Sequence, residues 1–236
     1  MVEKTLLVNI AGGHATELYI TARHIKARLL ISYPDADFNI IDLDQSYQNK
    51  DQAGLKNYSY KDYDFELLYN ELYRQKNDGS RNRSRGRSRN IIILCGCYAL
   101  YDKRINNLSD LKVYIDCDSD KRLINLIREK ECLEGYELNM LLTEYMDHLR
   151  IEMDRYIQPT RASADLIIPT TDEKLGEEIL ISGISHLIKF NDLETNKTEN
   201  NSNSVSMLKD CKNYQPLWDF QGEFMDLEKS RYYDLS

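Results

Sequence analysis

The feature that most constrains the fold is an alternation of short apolar segments with longer amphipathic ones over the first 190 residues. Short runs rich in β-branched residues are typical of strands buried on both faces, and amphipathic stretches between them are typical of helices covering a parallel sheet. The predicted strands are 5–10, 38–43, 91–95, 112–116 and 165–168. The predicted helices are 16–32, 64–75, 119–131, 138–157 and 175–190. The pattern therefore predicts one doubly wound α/β domain.

Length and charge narrow the class of protein. A chain of 236 residues has room for one domain of this kind with appendages. Lys and Arg number 31 against 39 Asp and Glu, and the net charge of −8 argues against a surface that binds nucleic acid or anionic membranes as a whole. No segment approaches the roughly 18 apolar residues of a membrane span, and the start of the chain lacks a secretory signal. We therefore expect a cytoplasmic protein that does not bind membranes.

Cysteine usage suggests neither a disulfide framework nor a metal site. The chain has five Cys, an odd number, with no C-x-x-C pair, and only four His. The cysteines are Cys95, Cys97, Cys117, Cys132 and Cys211. We expect reduced thiols and no bound metal at these residues.

Two segments depart from the alternation. Residues 77–90 carry arginine at every second position from 81 to 89 and nothing apolar, which predicts a disordered, solvated insertion. A functional alternative stays open, in which this segment contacts RNA or another polyanion or directs the protein to the nucleus. Residues 191–206 are polar and rich in Asn, and aromatic residues follow. We therefore expect a domain over 1–190 and, over 191–236, a polar linker with an aromatic tail.

The turn after the first predicted strand is a candidate phosphate loop. Strand-to-helix turns of α/β sheets hold phosphate on backbone N–H groups at a helix N-terminus. A working loop reads G-x-x-x-x-G-K-[ST], in which the Lys neutralises phosphate charge and the hydroxyl holds Mg²⁺. The residues here are Gly12, Gly13, His14, Ala15, Thr16, Glu17, Leu18 and Tyr19. The last three replace the Gly, the Lys and the hydroxyl residue, and by itself a Gly pair is also typical of an ordinary tight turn.

Four further segments, read in order with this loop, resemble the motifs of one family. They are 44–47 (DQSY), Gly96, 115–123 (IDCDSDKRL) and 158–161 (QPTR) leading into 164–169 (ADLIIP). Their order and spacing resemble G-G-S-A-S-G-K-[ST], D-x-F-Y, E-G-I, V-D-x-D-x-D-x-R-L and L-P-T-[KR]-x-x-A-D-x-I-I-P of the uridine/cytidine kinases, within the phosphoribulokinase/uridine kinase superfamily. The chain is most similar to divergent fungal members. The resemblance implies a P-loop three-layer sandwich with a mainly parallel five-stranded sheet.

The resemblance also implies an activity and its residues. The family transfers the γ-phosphoryl group of ATP, with Mg²⁺, to the 5′-hydroxyl of uridine or cytidine in pyrimidine salvage. Asp44 matches the carboxylate that accepts the hydroxyl proton, Tyr47 matches a residue near the nucleoside, and Arg128 lies just before the lid. The family is commonly oligomeric, so a homo-oligomer or an assembly with an active relative is expected.

Several motif positions differ from the family. Ser59 stands where the family's ribose-binding Asp is expected, with Asp62 as the candidate substitute, and Cys95 stands for the Glu that supports Mg²⁺. The lid arginine pair is replaced at 134–136 (EGY). Arg122, a protonated His14 or the arginines of 81–89 are candidate replacement cations. Two hypotheses follow, a uridine or cytidine kinase and a pseudokinase that keeps the nucleoside cleft or an assembly surface, and the altered loop favours the second.

Overall fold

A five-stranded parallel sheet forms the centre of the computed structural model, which describes residues 5–46, 59–77, 89–130, 135–170 and 173–199. The strand order is β2-β3-β1-β4-β5. The strands are β1 (Leu6–Gly12), β2 (Ala36–Asp42), β3 (Arg89–Cys95), β4 (Leu111–Asp116) and β5 (Leu166–Pro169). All four pairings are parallel, which confirms the predicted fold class.

Helices follow each strand. In the described ranges they are α1 (Leu18–Ser32), α2 (Leu43–Ser46), α3 (Phe65–Asn77), α4 (Lys103–Leu108), α5 (Ser119–Glu129), α6 (Gly135–Glu144), α7 (Arg150–Glu152) and α8 (Glu173–Glu199). π turns at Tyr145–Leu149 and Met153–Ile157 join α6 and α7 into one longer helical segment. Short 3₁₀ turns lie at Tyr60–Asp62 and Gln158–Ser163.

The central strand β1 is the most deeply buried part of the sheet. All seven of its residues are buried, and it pairs with β3 on one side and β4 on the other, with Val8 opposite both Ile93 and Leu111. Burial on both faces explains why these strands are nearly continuous apolar runs in the sequence. The loop after β1 is therefore anchored to a fully buried central strand.

Two helical layers cover the sheet. From β1 the chain crosses to β2, and from β2 it returns through β3 to β4 in the opposite direction, so right-handed crossovers place α1 on one face and α3 and α4 on the other. α8 packs beside α1, where His24 Nδ1 lies 3.4 Å from Glu177 Oε1. On the other face, Lys76 Nζ of α3 binds Asp110 Oδ2 at 2.8 Å, next to α4. The result is the three-layer arrangement expected from the sequence.

Several local elements differ from the sequence prediction. The predicted insertion 77–90 is shorter at both ends, because Asn77 ends α3 and Arg89 begins β3, where its guanidinium lies 5.7 Å from the Tyr33 ring centroid. α4 was not predicted, since six residues are too few to show a period; Asp102 caps it by accepting a 2.7 Å hydrogen bond from the Arg104 N–H. α8 continues through Glu199, past the predicted end at 190, because polar residues such as Glu and Lys also favour helix.

The chain divides into two compact units, Met1–Thr195 and Asn196–Ser236. The site described below lies in the first. Residues 78–88 and 200–236, which hold most of the predicted insertion and the aromatic tail, are outside the described residues, so both predictions stay predictions. In the ranges that are described, no helix combines the length and apolar character needed to cross a membrane.

Candidate functional site

The carboxyl ends of the parallel strands bring the predicted site residues to one edge of the sheet. β1 ends at Gly12, β2 at Asp42 and β3 at Cys95, and the segments that follow carry His14, Asp44 of α2, and Cys97. Open α/β sheets bind ligands at this edge, between two neighbouring strands whose following connections leave in opposite directions along the sheet. Here those strands are β1, which leads to β2, and β3, which leads to β4.

Asp44 is held from two sides. The Tyr63 hydroxyl donates a 2.7 Å hydrogen bond to Asp44 Oδ1, and the backbone N–H of Cys97 also donates to this carboxylate. Burial raises the pKa of Asp44, and the neighbouring Asp42 carboxylate raises it further, while the two hydrogen bonds act in the opposite direction. The sequence-predicted base is therefore a positioned carboxyl group with an increased affinity for a proton.

Cys97 connects Asp44 to the candidate phosphate loop. Its Sγ lies 3.4 Å from His14 Nδ1. Burial, followed by the charge of Arg122, lowers the pKa of His14 to about 4, so the imidazole is neutral near pH 7. Burial raises the pKa of the Cys97 thiol. The idea that a protonated His14 replaces the family's loop cation is therefore wrong at neutral pH.

The loop backbone keeps a tight curve without its second glycine. Ala15 and Glu17 both adopt left-handed conformations, with φ of 56° and 51°, which non-glycine residues rarely adopt. The Thr16 hydroxyl donates a 2.6 Å hydrogen bond to the carbonyl of Gly13, and Asn125 Nδ2 of α5 donates to the carbonyl of Ala15 at 3.0 Å. Contacts with α5 and within the loop therefore fix a conformation that glycine would otherwise favour.

The residue at the loop lysine position points into the core. Leu18, the first residue of α1, is only 7% exposed, and its Cδ2 lies 3.0 Å from the point where a Cβ on Gly12 would be. Glu17 is exposed. Burial of Glu129 on α5 is the main cause that raises the pKa of Glu129, and the negative charge of Glu17 raises it further. Tyr19 is 40% exposed. The N-terminus of α1 thus carries a carboxylate and no cation of its own.

Arg122 of α5 packs directly on the loop. A Cβ on Gly13 would lie 2.6 Å from Arg122 Cδ and 2.8 Å from Nη1, so a side chain at position 13 would require Arg122 to move. Arg122 is 8% exposed. The sequence named Arg122 as one of several candidate cations, and the structure places its guanidinium against the loop.

A cavity of about 310 Å³ opens beside the loop. Thr16 and Glu17 of the loop line one side, and Lys121 and Arg128 of α5 line another. Other lining residues come from α1, from the ends of β4 and β5 and the residues that follow them, and from α8. Arg128, predicted near the lid, therefore faces the cavity.

An aromatic cluster flanks Asp44 and was not predicted. The Tyr63 ring lies 5.1 Å from Tyr98, and the Tyr60 ring stacks at 4.9 Å on Tyr101 and lies 4.7 Å from Tyr156. These residues come from three distant segments, so no local pattern reveals them. The abundance of tyrosine, 17 in all, was the one available signal.

Asp62 stabilises the turn that carries Tyr60 of this cluster. Its Oδ2 accepts a 2.9 Å hydrogen bond from the Ser59 N–H and forms a capping box over the turn that carries Tyr60, next to Tyr63. Tyr47 lies outside the described residues, as does residue 134 of the lid position, so the role predicted for Tyr47 remains a prediction.

The residues present do not fit Mg²⁺ held in the family's manner. Cys95, at the position of the supporting Glu, is 1% exposed, its Sγ contacts the Ile41 carbonyl at 3.6 Å, and burial raises its pKa to about 12. Mg²⁺ requires oxygen ligands. In the described part of the chain, no group of three or more His, Cys, Asp or Glu side chains is arranged to hold a metal.

The two most specific sequence motifs meet in space. Asp116 ends β4, and its Oδ2 lies 3.0 Å from Arg161 Nη2 in the 3₁₀ turn before β5. β4 and β5 also pair directly, with Asp116 opposite Pro169. The separated motif residues therefore form one structural unit.

Comparison with known proteins identifies the family. Residues 20–175 match the profile of the "Phosphoribulokinase / Uridine kinase family". The chain belongs to this family. A Saccharomyces cerevisiae protein described as "Putative uridine kinase DAS2" is 44% identical over 99% of this chain and 97% of its own length. The uridine kinase of Lactococcus lactis subsp. lactis is 23% identical over 79% of this chain and 98% of its own length.

Solved structures agree on the fold. Phosphoribulokinase from Rhodobacter spheroides superposes with a TM-score of 0.52 at 15% sequence identity, over 73% of each chain. The family match begins at Ile20, immediately after the loop in which this uridine kinase-like chain departs from the family motif.

Proposed function

We propose that this protein binds a pyrimidine nucleoside beside Asp44 and does not transfer the phosphoryl group of Mg·ATP at the rate of its kinase relatives. The observation that carries the proposal is the burial of Leu18 at the position of the loop lysine. The proposed substrate class, uridine or cytidine, is that of the family. The proposed binding site is the region around Asp44, on the side of the phosphoryl acceptor.

The acceptor side supports nucleoside binding. Asp44 is oriented by Tyr63 and by the Cys97 N–H, and a raised pKa suits a carboxylate that accepts a hydroxyl proton. The partly exposed rings of Tyr60, Tyr101 and Tyr156 lie close by. Base–aromatic stacking contributes about 1–3 kcal/mol per base, which would add to hydrogen bonding at Asp44 in binding a nucleoside.

The loop that would hold ATP, the phosphoryl donor, argues against turnover. Replacing a lysine with Leu18 and a glycine with Glu17 changes the local charge by two units, and each charge–phosphate interaction at roughly 5 Å is worth about 3 kcal/mol at an effective dielectric of 20. Phosphoryl transfer depends on positioning and on stabilising charge in the transition state. The loss should therefore affect the rate at least as strongly as ATP affinity.

A second candidate is an active uridine or cytidine kinase. The packing of Arg122 on Gly13 favours it, because a guanidinium at the loop could partly replace the lysine. This candidate predicts Mg·ATP-dependent formation of the nucleoside monophosphate. An assembly role, as a homo-oligomer or with an active relative, and a cytoplasmic or nuclear location stay predictions.

Calorimetric titration of the full chain with uridine, cytidine and Mg·ATP separately, followed by a coupled kinase assay, tests the proposal. We expect nucleoside binding that weakens about tenfold or more in Asp44→Asn, the scale of losing a hydrogen bond to a charged group. We expect no Mg·ATP binding and no turnover. Asp154→Asn, an exposed acid on the same chain, is the matched control.

Turnover that depends on Mg·ATP and disappears in Asp44→Asn would establish the second candidate instead. Absence of both nucleoside and nucleotide binding would reject both candidates.

A further inference from the structure

We infer that Glu152 determines nucleoside specificity: its carboxylate accepts a hydrogen bond from the 4-amino group of a cytosine base bound at the aromatic cluster, so the protein prefers cytidine to uridine. The inference rests on the proposed function, nucleoside binding beside Asp44, and deepens it by naming the nucleoside. Glu152 lies outside the sequence motifs that resemble the family.

A hydrogen bond holds Glu152 at the aromatic cluster. The Tyr98 hydroxyl donates to Glu152 Oε2 at 2.9 Å. Tyr98 follows the carboxyl end of β3 and is 1% exposed, so this bond ties α7 to the edge of the sheet at which parallel strands present a ligand. Burial raises the pKa of Tyr98, and the hydrogen bond to Glu152 raises it further, so the phenol keeps its proton and donates.

Glu152 lies near both parts of the site that a nucleoside would contact. After burial, the charges of Glu152 and Asp44 both contribute to raising the pKa of Tyr98, so both carboxylates lie near its hydroxyl. The Tyr101 ring lies 5.9 Å from the Tyr98 ring and 6.5 Å from the Tyr156 ring. Burial is the main cause that raises the pKa of Tyr101, and the charge of Glu152 also contributes. A nucleoside that reaches from Asp44 to these partly exposed rings would therefore pass beside Glu152.

Glu152 keeps an unused hydrogen-bond acceptor. The side chain is half-buried, and among the residues that the structure describes its Oε1 receives no hydrogen bond and no cation pairs with the carboxylate. Most buried polar atoms in folded proteins have a partner. The second oxygen of Glu152 is therefore available to a donor on a ligand.

The helix around Glu152 has an unusual geometry. Only three residues, 150–152, separate two π turns. Such turns within helices occur frequently at functional sites. The second π turn carries Tyr156, whose ring lies 4.7 Å from the Tyr60 ring. This irregular segment therefore brings a carboxylate and an aromatic ring to the same cluster.

The chemistry of a carboxylate determines which pyrimidine it favours. A carboxylate offers acceptor lone pairs and no donor. Cytosine carries an amino group at C4, which donates, whereas uracil carries a carbonyl oxygen there, which is a second acceptor. A site built to make a hydrogen bond rejects a ligand that lacks the partner group, because a buried polar atom is then left unpaired.

Calorimetric titration of the full chain, without ATP or Mg²⁺, tests the inference with three probes. They are cytidine, uridine and the ribonucleoside of pyrimidin-2-one, which is cytidine without its amino group. We expect cytidine to bind about tenfold or more tightly than either of the other two. Glu152→Gln should remove the preference over uridine, because an amide can donate to the uracil carbonyl as well as accept from the amino group. Asp154→Asn, at an exposed acid two residues away, should leave the preference unchanged.

Three results would overturn the inference. They are equal or tighter binding of uridine, equal binding of the pyrimidin-2-one nucleoside, and a cytidine preference that Glu152→Gln leaves unchanged. If Glu152→Gln does not fold, Tyr98→Phe decides, because it keeps the buried ring and removes the hydroxyl that positions the carboxylate. A smaller cytidine preference in Tyr98→Phe supports the inference, and an unchanged preference overturns it.

Failure of the inference is distinct from failure of the proposed function. Cytidine and uridine that bind equally, and that both bind more weakly to Asp44→Asn, overturn the role of Glu152 and leave the nucleoside site at Asp44 in place. Absence of binding by all three probes rejects both. Kinase turnover would contradict the proposed loss of phosphoryl transfer without changing a comparison made in the absence of ATP and Mg²⁺.

Discussion

At the scale of single residues, the site combines one carboxyl group whose ionised form is disfavoured with one buried guanidinium. Asp44 and Arg122 lie on either side of Cys97 and His14, which are both neutral at pH 7. Such an arrangement costs stability and is typical of functional positions.

The first prediction concerns the pH dependence of stability. Because burial raises the pKa of Asp44 in the folded state, ionisation penalises folding; the penalty is absent below the unfolded pKa and grows as pH rises through the folded pKa. Asp44→Asn should therefore stabilise the protein at pH 7 by about 1 kcal/mol, or a few degrees in melting temperature. Chemical denaturation at pH 7 and at pH 4 measures the difference.

The gain should shrink toward pH 4, which lies close to the ordinary aspartate pKa of about 3.9, so that little of the ionisation penalty has developed. Asp154→Asn, on an exposed helical surface, should give no pH-dependent gain. A stability loss at pH 7 in Asp44→Asn would show that the ionised carboxylate stabilises the fold.

The sequence identified Asp44 because the residue follows a strand at a motif position. It could not show that Arg122 packs on Gly13 or that Asn125 binds Ala15, since such contacts join positions as much as 110 residues apart. The tyrosines around Asp44 were missed for the same reason.

At the scale of elements, the loop and α5 behave as one unit. α5 contributes Arg122, which packs against Gly13, and Asn125, which donates to the carbonyl of Ala15, while Leu18 of α1 is buried. The loop conformation is therefore determined partly by a neighbouring helix and not by its own residues alone.

The second prediction is that Glu17→Gly, Leu18→Lys and Tyr19→Ser together restore Mg·ATP binding. Glycine suits the left-handed φ of 51° at position 17, and lysine returns a cation to the helix terminus. Calorimetry should detect Mg·ATP binding that the parent lacks, while the coupled assay stays slow because residues 134–136 carry no lid arginine.

Glu17→Gly alone is the control, because it restores the glycine but not the cation. It should leave Mg·ATP binding undetectable and stabilise the protein by up to about 1 kcal/mol. Triple-variant protein that folds yet binds no Mg·ATP would show that the loop substitutions are not what limits donor binding.

The elements themselves were largely predictable. Buried parallel strands appear as apolar runs, so all five were found to within about two residues. The major helices were also found, although α6 begins three residues before its predicted start and α8 ends nine residues after its predicted end. The short helices α2 and α4 and the π turns were not predicted, because they are shorter than the window of about 11–18 residues over which helical periodicity is recognised.

At the scale of the whole molecule, a net charge of −8 accompanies a local run of arginines. The third prediction is that replacing Arg81, Arg83, Arg85 and Arg87 with Ser does not change RNA affinity at about 0.15 M salt, because the acidic surface as a whole disfavours polyanions. Electrophoretic mobility shift with single-stranded RNA measures this. Affinity that falls about tenfold or more, with a reduced salt dependence, would instead support the RNA-contact hypothesis for this segment.

The left-handed Ala15 and Glu17 have a consequence for how such proteins are detected. The loop after β1 keeps two left-handed residues although its sequence no longer matches the phosphate-loop motif, so a search that demands Gly-Lys-Ser/Thr would miss the chain. The fold still identifies the family although the sequence of this loop has diverged from the family motif. Surveys that count nucleoside-kinase folds by the phosphate-loop motif alone will therefore undercount chains that keep the fold but lack the motif.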